Sequence, residues 1–575
     1  MASRFSTSAF RDRWAQHLKR FNGVLLVILL LALLLRLQEL TRLPIFHDEA
    51  LYLHWAQQTA RKHDLTIALS EAVSTFQVWL LAGVYHLSPS ALWLGRFVSA
   101  SAGFLTTALC YAIARQIYAR KDVAAIAALL YALLPLAVFH DGLAQNDSLL
   151  TLFLAVFLWQ SVSWARRGGI LAPILLIVSF GLAFLTKRSA ALWIPVPMLT
   201  MIMLGHKTQL KTRGLQLVGL MIGFLLIVGG VVWLAQNSIG QIGQQTSFLR
   251  PNDLLSLWHT NTTLLGEWFY RYLTGGGLGV LLVSLIGAAW RRKRHTLLLA
   301  FVAVLPTAIF TAISVRWYPR YLAPISVPMV LLMAEGIVLL NKWGAELCAR
   351  LVKSKYTGAL LTGIVGVVVL LPMILFAGSL ATDPTTVALP AIDRWQYVSG
   401  WPAGYGLPEA AAYLASIATP TRPIYVWCNS RSIPPRYGLR HYLPKSDFLS
   451  YKTFNTASDS WTEIEHKLDE AARQRAVYIV LNLPYEKGVP DPATLPRLRR
   501  VIAFPKPGGE SAIAIYQWLL PSGESSLWPA CRCLRQGGAK DFSPLPVHRQ
   551  GQGGGSPGAA PRPPAPQSTH GIGDG

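Results

Sequence analysis

Runs of Leu, Ile, Val, Ala and Gly recur along this chain at close to the length that crosses a bilayer as a helix, and that recurrence decides most of what it can fold into. In hydrocarbon every backbone N–H and C=O must find a partner inside the protein, so runs of roughly 20 apolar residues commit a chain to membrane helices. Such runs begin near Phe21, Ala91, Val123, Leu149, Ile170, Ser189, Gly214, Gly276, Thr296, Tyr321 and Thr357. They predict a mostly α, polytopic membrane protein with about 11 transmembrane helices. Charged residues are 14% and hydrophobic ones 52% of the 575, a balance that fits this class better than a soluble domain.

The formal net charge of +24 raises nucleic acid as a partner. The Lys and Arg residues nevertheless fall in short clusters between apolar runs and not on one basic domain, so nucleic acid is excluded and topology explains them. If the basic amino end (Arg4, Arg11, Arg13, Lys19, Arg20) is cytoplasmic, the clusters Arg115/Arg120/Lys121, Arg166/Arg167, Lys207/Lys211/Arg213, Arg291/Arg292/Lys293/Arg294 and Lys342/Arg350/Lys353/Lys355 all fall inside. That pattern predicts a multi-pass plasma-membrane protein with an extracytoplasmic carboxyl-terminal part. The first apolar stretch is long and lacks a small-residue cleavage site, so it is expected as a retained helix. The five cysteines have neither zinc-ligand nor disulfide-framework spacing, and no metal is expected.

Four regions follow: a basic amino terminus over 1–20, a transmembrane domain over 21–380, an outer-face α/β domain over 381–535, and a tail over 536–575. The α/β domain is expected from strand-like pieces at 423–427, 476–481 and 512–516 and helical pieces at 408–417 and 461–473. The tail is Gly-, Pro-, Ser- and Gln-rich and too poor in apolar residues to build a core. The first outer loop, 41–90, is long enough to carry structure of its own. Glu49, Leu51, Tyr52, Trp55 and Ala56, and then Val73, Phe76, Val78, Leu80 and Leu81, recur at helical spacing, which predicts two interfacial helices.

Chemistry concentrates at the outer ends of the runs. Asp48 and Glu49 stand a few residues past the first run, and Asp147 stands at the next outer connection. A partly desolvated carboxylate there can take a proton from an attacking hydroxyl or amine. Capping the following helix through its free N–H groups is the competing role for Asp48, and likewise for Asp147. Lys187, Arg316 and Arg320 break the charge rule by placing cations at outer helix ends. They suit a phosphate or anionic headgroup, with snorkelling anchors or internal ion pairs as the alternative, and Lys187 could pair with either acid.

These residues resemble the C-superfamily polytopic glycosyltransferases, glycosyltransferase family 39, in particular its protein O-mannosyltransferase and aminoarabinose transferase members. The features that carry the resemblance are the acidic pair after the first span, Arg96-Phe97-Val98-Ser99-Ala100, Asn146-Asp147-Ser148-Leu149-Leu150, Phe184-Leu185-Thr186-Lys187 and Tyr318-Pro319-Arg320-Tyr321-Leu322-Ala323-Pro324. The resemblance implies an enzyme that takes a sugar from a polyprenyl-phosphate donor in the lipid bilayer and passes it to an outer-face protein, lipid or glycan acceptor, with inversion and without a cofactor or catalytic metal. It implies Asp48 as the catalytic acid, Glu49 and Asp147 as supporting acids, and Lys187, Arg320 and Arg316 as lipid-phosphate ligands. His47, Tyr318 and Tyr321 are candidate donor or substrate contacts beside them.

Arg188 departs from the glycine that commonly follows the lysine in the family, which puts the local geometry in question. Segments 393–397 and 400–406 resemble other bacterial members, and their aromatics could stack on sugar or, the favoured reading, pack a joint between domains. A polytopic transporter with a charged outer vestibule is the rival from another class. It predicts charges within the spans and repeated halves, whereas here the charges gather at outer ends and no repeat is visible.

Overall fold

The computed structural model describes residues 23–521 except 39, 71–73, 206–212, 240–253, 292, 315–316, 352–356, 445 and 487. The amino-terminal 1–20, the tail 536–575 and Arg316 therefore lie outside the described residues.

Among the described residues, seven helices are long and apolar enough to cross a membrane, or eight if one bent pair counts as a single span. The chain opens with α1 (Gly23–Leu37), followed by three helices of the first loop, α2 (His47–Lys62), α3 (Thr66–Ser70) and α4 (Thr75–Val84). The membrane series continues with α5 (Ala91–Tyr118), α6 (Lys121–Leu133), α7 (Pro135–Asp141), α8 (Asn146–Arg167), α9 (Leu171–Thr186) and α10 (Val196–Leu204). It ends with α11 (Gly214–Ile239), α12 (Leu254–Arg291), α13 (Arg294–Ile313), α14 (Ser326–Leu351) and α15 (Thr357–Thr382). Seven or eight of the eleven expected spans have that length, and the apolar helices at 23–37, 171–186 and 188–204, at three further expected positions, are shorter.

Two breaks have local causes. Proline cannot donate to the preceding turn and pushes the residue before it out of the α region, so Leu134 sits at φ −57°, ψ 120° and α7 restarts at Pro135 with a 53° bend. In α12, Thr274 takes φ 65°, ψ 161° in front of Gly275-Gly276-Gly277, so two helical pieces meet there at a kink and the second starts close to the Gly276 expected from hydropathy. Small residues then let helices approach closely: a Cβ on Gly336 of α14 would lie 1.9 Å from the Val280 carbonyl of α12.

The carboxyl-terminal part holds a five-stranded sheet of β1 (Ile424–Asn429), β2 (Leu449–Phe454), β3 (Ala476–Leu483), β4 (Leu498–Pro505) and β5 (Ala512–Trp518), in the order β2-β1-β3-β5-β4. β1 pairs parallel with β2 and β3, while β5 runs antiparallel to β3 and β4. Alternation along the strands divides the side chains between two faces. Trp427, Val477, Ile479, Leu481 and Ala514 face α17 (Trp461–Gln474) through Ile464 and Leu468, after α16 (Leu407–Ile417) has been laid on the other face. On that face Val426, Val480, Ile513 and Ile515 share one core with Leu407 and Leu414 of α16 and with Ala50, Leu53, Val78 and Leu81 of α2 and α4. The sheet is thus continuous with the first-loop helices.

Candidate active site

An extended Phe46 (φ −82°, ψ 155°) turns the chain into α2, whose second and third residues are the two acids. Consecutive residues on a helix point about 100° apart, so the pair separates at once. Glu49 turns inward with no exposure. Its carboxylate accepts the Phe46 N–H at 2.9 Å, which makes Glu49 the acid that closes the helix start. It also accepts the Ala144 N–H at 2.6 Å and a fork of bonds from Arg96 of α5 at 2.8 and 2.7 Å. Arg96, equally buried, spends its remaining donors on the carbonyls of Leu40 and Leu43, both at 2.6 Å, and of Pro44 at 3.2 Å. This pair clasps the approach to α2, the start of α5 and the 143–145 turn together.

Asp48 lies on the open side, its side chain 21% exposed. Oδ2 is 2.7 Å from the guanidinium of Arg320 and Oδ1 is 2.8 Å from Nδ1 of His47, which donates because an ionised carboxylate can only accept. Burial pushes this carboxyl up, but Arg320 and then His47 outweigh it and hold the group well below the usual carboxylate range. The N-cap alternative for Asp48 does not apply, since Phe46 occupies that position and no capping bond from Asp48 is formed.

Arg320 comes from a 3-10 turn, Pro319–Ile325, that leads into α14. Its guanidinium lies 5.2 Å from the Tyr318 ring, 5.8 Å from Phe46 and 5.9 Å from Tyr321. Lys187, at the end of α9, holds Asp147 in the first turn of α8 at 2.6 Å and sits 4.1 Å over the same Tyr321 ring. Of the two acids that could have taken Lys187, the structure thus pairs it with Asp147. Tyr321 is the shared wall between two acid–cation pairs. Arg188 starts a separate 3-10 turn and is exposed, so it leaves Lys187 in place.

The segment 393–406 reaches the same place. The edge of Trp401 meets the His47 ring at 5.2 Å, the Pro402 carbonyl accepts the His47 N–H at 3.1 Å, and a Cβ on Gly404 would lie 2.1 Å from the Ile45 carbonyl. From the sheet, Lys506 donates to the carbonyls of Gly400, Trp401 and Ala403 at 3.2, 3.1 and 2.7 Å. Behind Phe46, Tyr397 packs at 4.5 Å and bonds Gln145, and His140 lies 3.6 Å from Asp393, which also accepts from Tyr272. Sequence reasoning has Arg96, Tyr397 and Trp401 only as members of segments that resemble the family and does not reach Lys506; all four act through long-range contacts that no spacing announces. Among the described residues no group of three or more His, Cys, Asp and Glu could hold a metal ion.

Residues 74–233 match the family described as dolichyl-phosphate-mannose-protein mannosyltransferase. A Pseudomonas aeruginosa protein named undecaprenyl phosphate-alpha-4-amino-4-deoxy-L-arabinose arabinosyl transferase is 27% identical over 293 residues, 47% of this chain and 51% of that protein. A Proteus mirabilis protein of the same name is 26% identical, covering 45% of this chain and 47% of its own. The chain spans about half the length of the curated relatives it matches. Its fold superposes on the crystal structure of ArnT from Cupriavidus metallidurans bound to undecaprenyl phosphate with a TM-score of 0.55 at 14% identity, over 86% of this chain and 98% of that one. The apo form of that protein gives 0.54 at 14% identity over the same shares. Residues 74–233 are therefore similar to the dolichyl-phosphate-mannose-protein mannosyltransferase family, and the chain has the fold seen in ArnT from Cupriavidus metallidurans.

Proposed function

We propose that this protein is a membrane glycosyltransferase that moves a sugar from a polyprenyl-phosphate donor to an outer-face acceptor, protein, lipid or polysaccharide, by one inverting displacement. The observation that carries this reading is the pairing of Asp48 with Arg320 and Asp147 with Lys187 around Tyr321, at the same ends of the membrane helices. Two cations beside an aromatic wall can receive a phosphate monoanion or diester, and each already faces a carboxylate that a phosphate can displace. The names of the sequence relatives, which specify an undecaprenyl-phosphate donor carrying aminoarabinose, support the donor class and make that sugar the first to try.

In this mechanism the donor enters laterally from the outer leaflet and its phosphate docks on Lys187 and Arg320. An acceptor hydroxyl or amine loses its proton at the Asp48–His47 pair and attacks the anomeric carbon from the face opposite the phosphate. Charge that develops on the departing phosphate meets the two cations, which are already in position. A single displacement needs one base, so Glu49 and Asp147 support and do not attack. The basic inner loops orient the amino terminus to the cytoplasm and the sheet to the extracytoplasmic side.

The test is release of polyprenyl phosphate by the purified full-length protein from labelled undecaprenyl-phosphate aminoarabinose and polyprenyl-phosphate mannose, in the presence of cell-envelope membranes. Asp48→Asn is expected to lower the transfer rate by about 100-fold or more while the protein stays folded. Retained turnover in that variant, or a product with the donor's anomeric configuration, overturns the mechanism.

A further inference from the structure

A base needs a lone pair that is both reachable and of high proton affinity, and in this site each carboxylate lacks one or the other. Asp48 has Oδ1 bonded to His47 and Oδ2 bonded to Arg320. Glu49 is enclosed and fully bonded, and Asp147 is 1% exposed against Lys187. A carboxylate clamped by a guanidinium is also a weak base, because proton affinity falls with the stability of its ionised form.

The imidazole of His47 is arranged differently. Nδ1 donates to Asp48, which leaves the lone pair on Nε2, and no hydrogen bond from a described residue falls on that atom. The ring is 19% exposed, so it is reachable. Its position is set from both ends: the backbone N–H is tied to Pro402, the ring edge rests on Trp401, and Lys506 holds the Trp401 loop by its carbonyls. A carboxylate that fixes one ring nitrogen so that the other can act as a base is the same division of labour as in hydrolytic triads.

We propose that His47, through Nε2, takes the acceptor's proton, and that Asp48 fixes the tautomer and balances the imidazolium that forms. The assignment rests on the glycosyl-transfer reading above. The acceptor O–H or N–H bond breaks with its proton moving to Nε2, the freed electron pair forms the bond to the anomeric carbon, and the anomeric C–O bond breaks with its pair passing to the lipid phosphate. The imidazolium then returns its proton to water. The charged and titratable groups that act on this pair are Arg320 and Tyr321 from the turn before α14, Lys187 and Asp147 from α9 and α8, Tyr52 one turn along α2, and Tyr397 against Phe46. They form a fixed background that the substitutions below leave in place.

Asn and Gln separate a positioning role from a catalytic one, since an Asn amide can replace the Nδ1–H donor to Asp48 without supplying a base. In the full-length protein with labelled undecaprenyl-phosphate aminoarabinose or polyprenyl-phosphate mannose, His47→Asn is expected to lower kcat by about 100-fold or more, with donor binding unchanged. The remaining rate should follow pH differently from the parent's, because the group that takes the acceptor's proton is gone. His47→Gln should behave alike and guards against one variant misfolding. A parent-like rate in His47→Asn overturns the assignment, as does a slowed variant that keeps the parent's pH dependence. If the parent protein releases polyprenyl phosphate from neither donor, the transfer reading itself falls, a different outcome from active parent and active His47→Asn.

Discussion

Asp48 and Glu49 are neighbours in the chain and both meet an arginine, yet their surroundings give them different work. The Glu49–Arg96 pair is wholly buried, and its bonds to Phe46, Ala144, Leu40, Leu43 and Pro44 use nearly all that the two groups can offer. The Asp48–Arg320 pair is 21% and 12% exposed, and Arg320 is surrounded by rings that can share it with an incoming anion. A buried pair is costly to break because each partner leaves an uncompensated charge, whereas a part-exposed pair can exchange partners. The difference teaches that accessibility and spare bonding capacity, more than the presence of an ion pair, separate the pair proposed to meet substrate from the one that holds the fold.

The largest expected effect breaks the buried side of the comparison. Glu49→Gln keeps the shape but leaves Arg96 charged without its counter-ion, a loss of about 3–5 kcal/mol for a buried pair. Thermal or denaturant unfolding in detergent should show a clear drop in midpoint, with activity falling only as folded protein is lost. Asp48→Asn, in a pair that keeps contact with solvent, should lower the same midpoint by less. Equal shifts in the two variants would remove the distinction between the acids.

Part of this was legible beforehand and part was not, for physical reasons. Apolar runs announce membrane helices because hydrocarbon admits few alternatives, and a helix or helix pair stands at each expected run, although three are too short and one is bent. β1, β3 and β5 were visible because interior strands are nearly continuous in Ile, Val, Leu and aromatics; β2 and β4 are edge strands, and Leu449-Ser450-Tyr451-Lys452-Thr453-Phe454 is too polar to stand out. In the first loop two helices were expected and three are found, α3 being only five residues long. Asp48, Asp147, Lys187 and Arg320 could each be singled out by charge at a helix end. Which acid meets which cation could not, because pairing depends on how α8, α9 and α14 pack. The 400–406 segment, expected as a joint between domains, packs directly on His47.

An intermediate effect tests the accessible side at its second pair. Lys187→Ala should raise the donor KM by about 10-fold while changing kcat less, if this cation mainly binds ground-state phosphate. It also leaves Asp147 buried without a cation, so part of any loss could come from folding. Lys187→Ala combined with Asp147→Asn removes both charges and separates the two: stability should recover and donor affinity should not. Recovery of donor affinity in the double variant would make this pair a structural clasp like Glu49–Arg96.

The smallest effect is read from acid. Burial raises the Asp48 carboxyl but Arg320 and His47 lower it further, so its folded value lies beneath the unfolded value of about 3.9. A group depressed in this way contributes stability that is present above the unfolded value and is lost as pH falls through the folded one. Wild-type protein should therefore lose stability relative to Asp48→Asn only below about pH 4, with the two curves parallel from pH 5 to pH 8. The same sign bears on activity. Asp48 stays ionised across that whole upper window, so any change of the transfer rate between pH 8 and pH 5 reports a group other than Asp48.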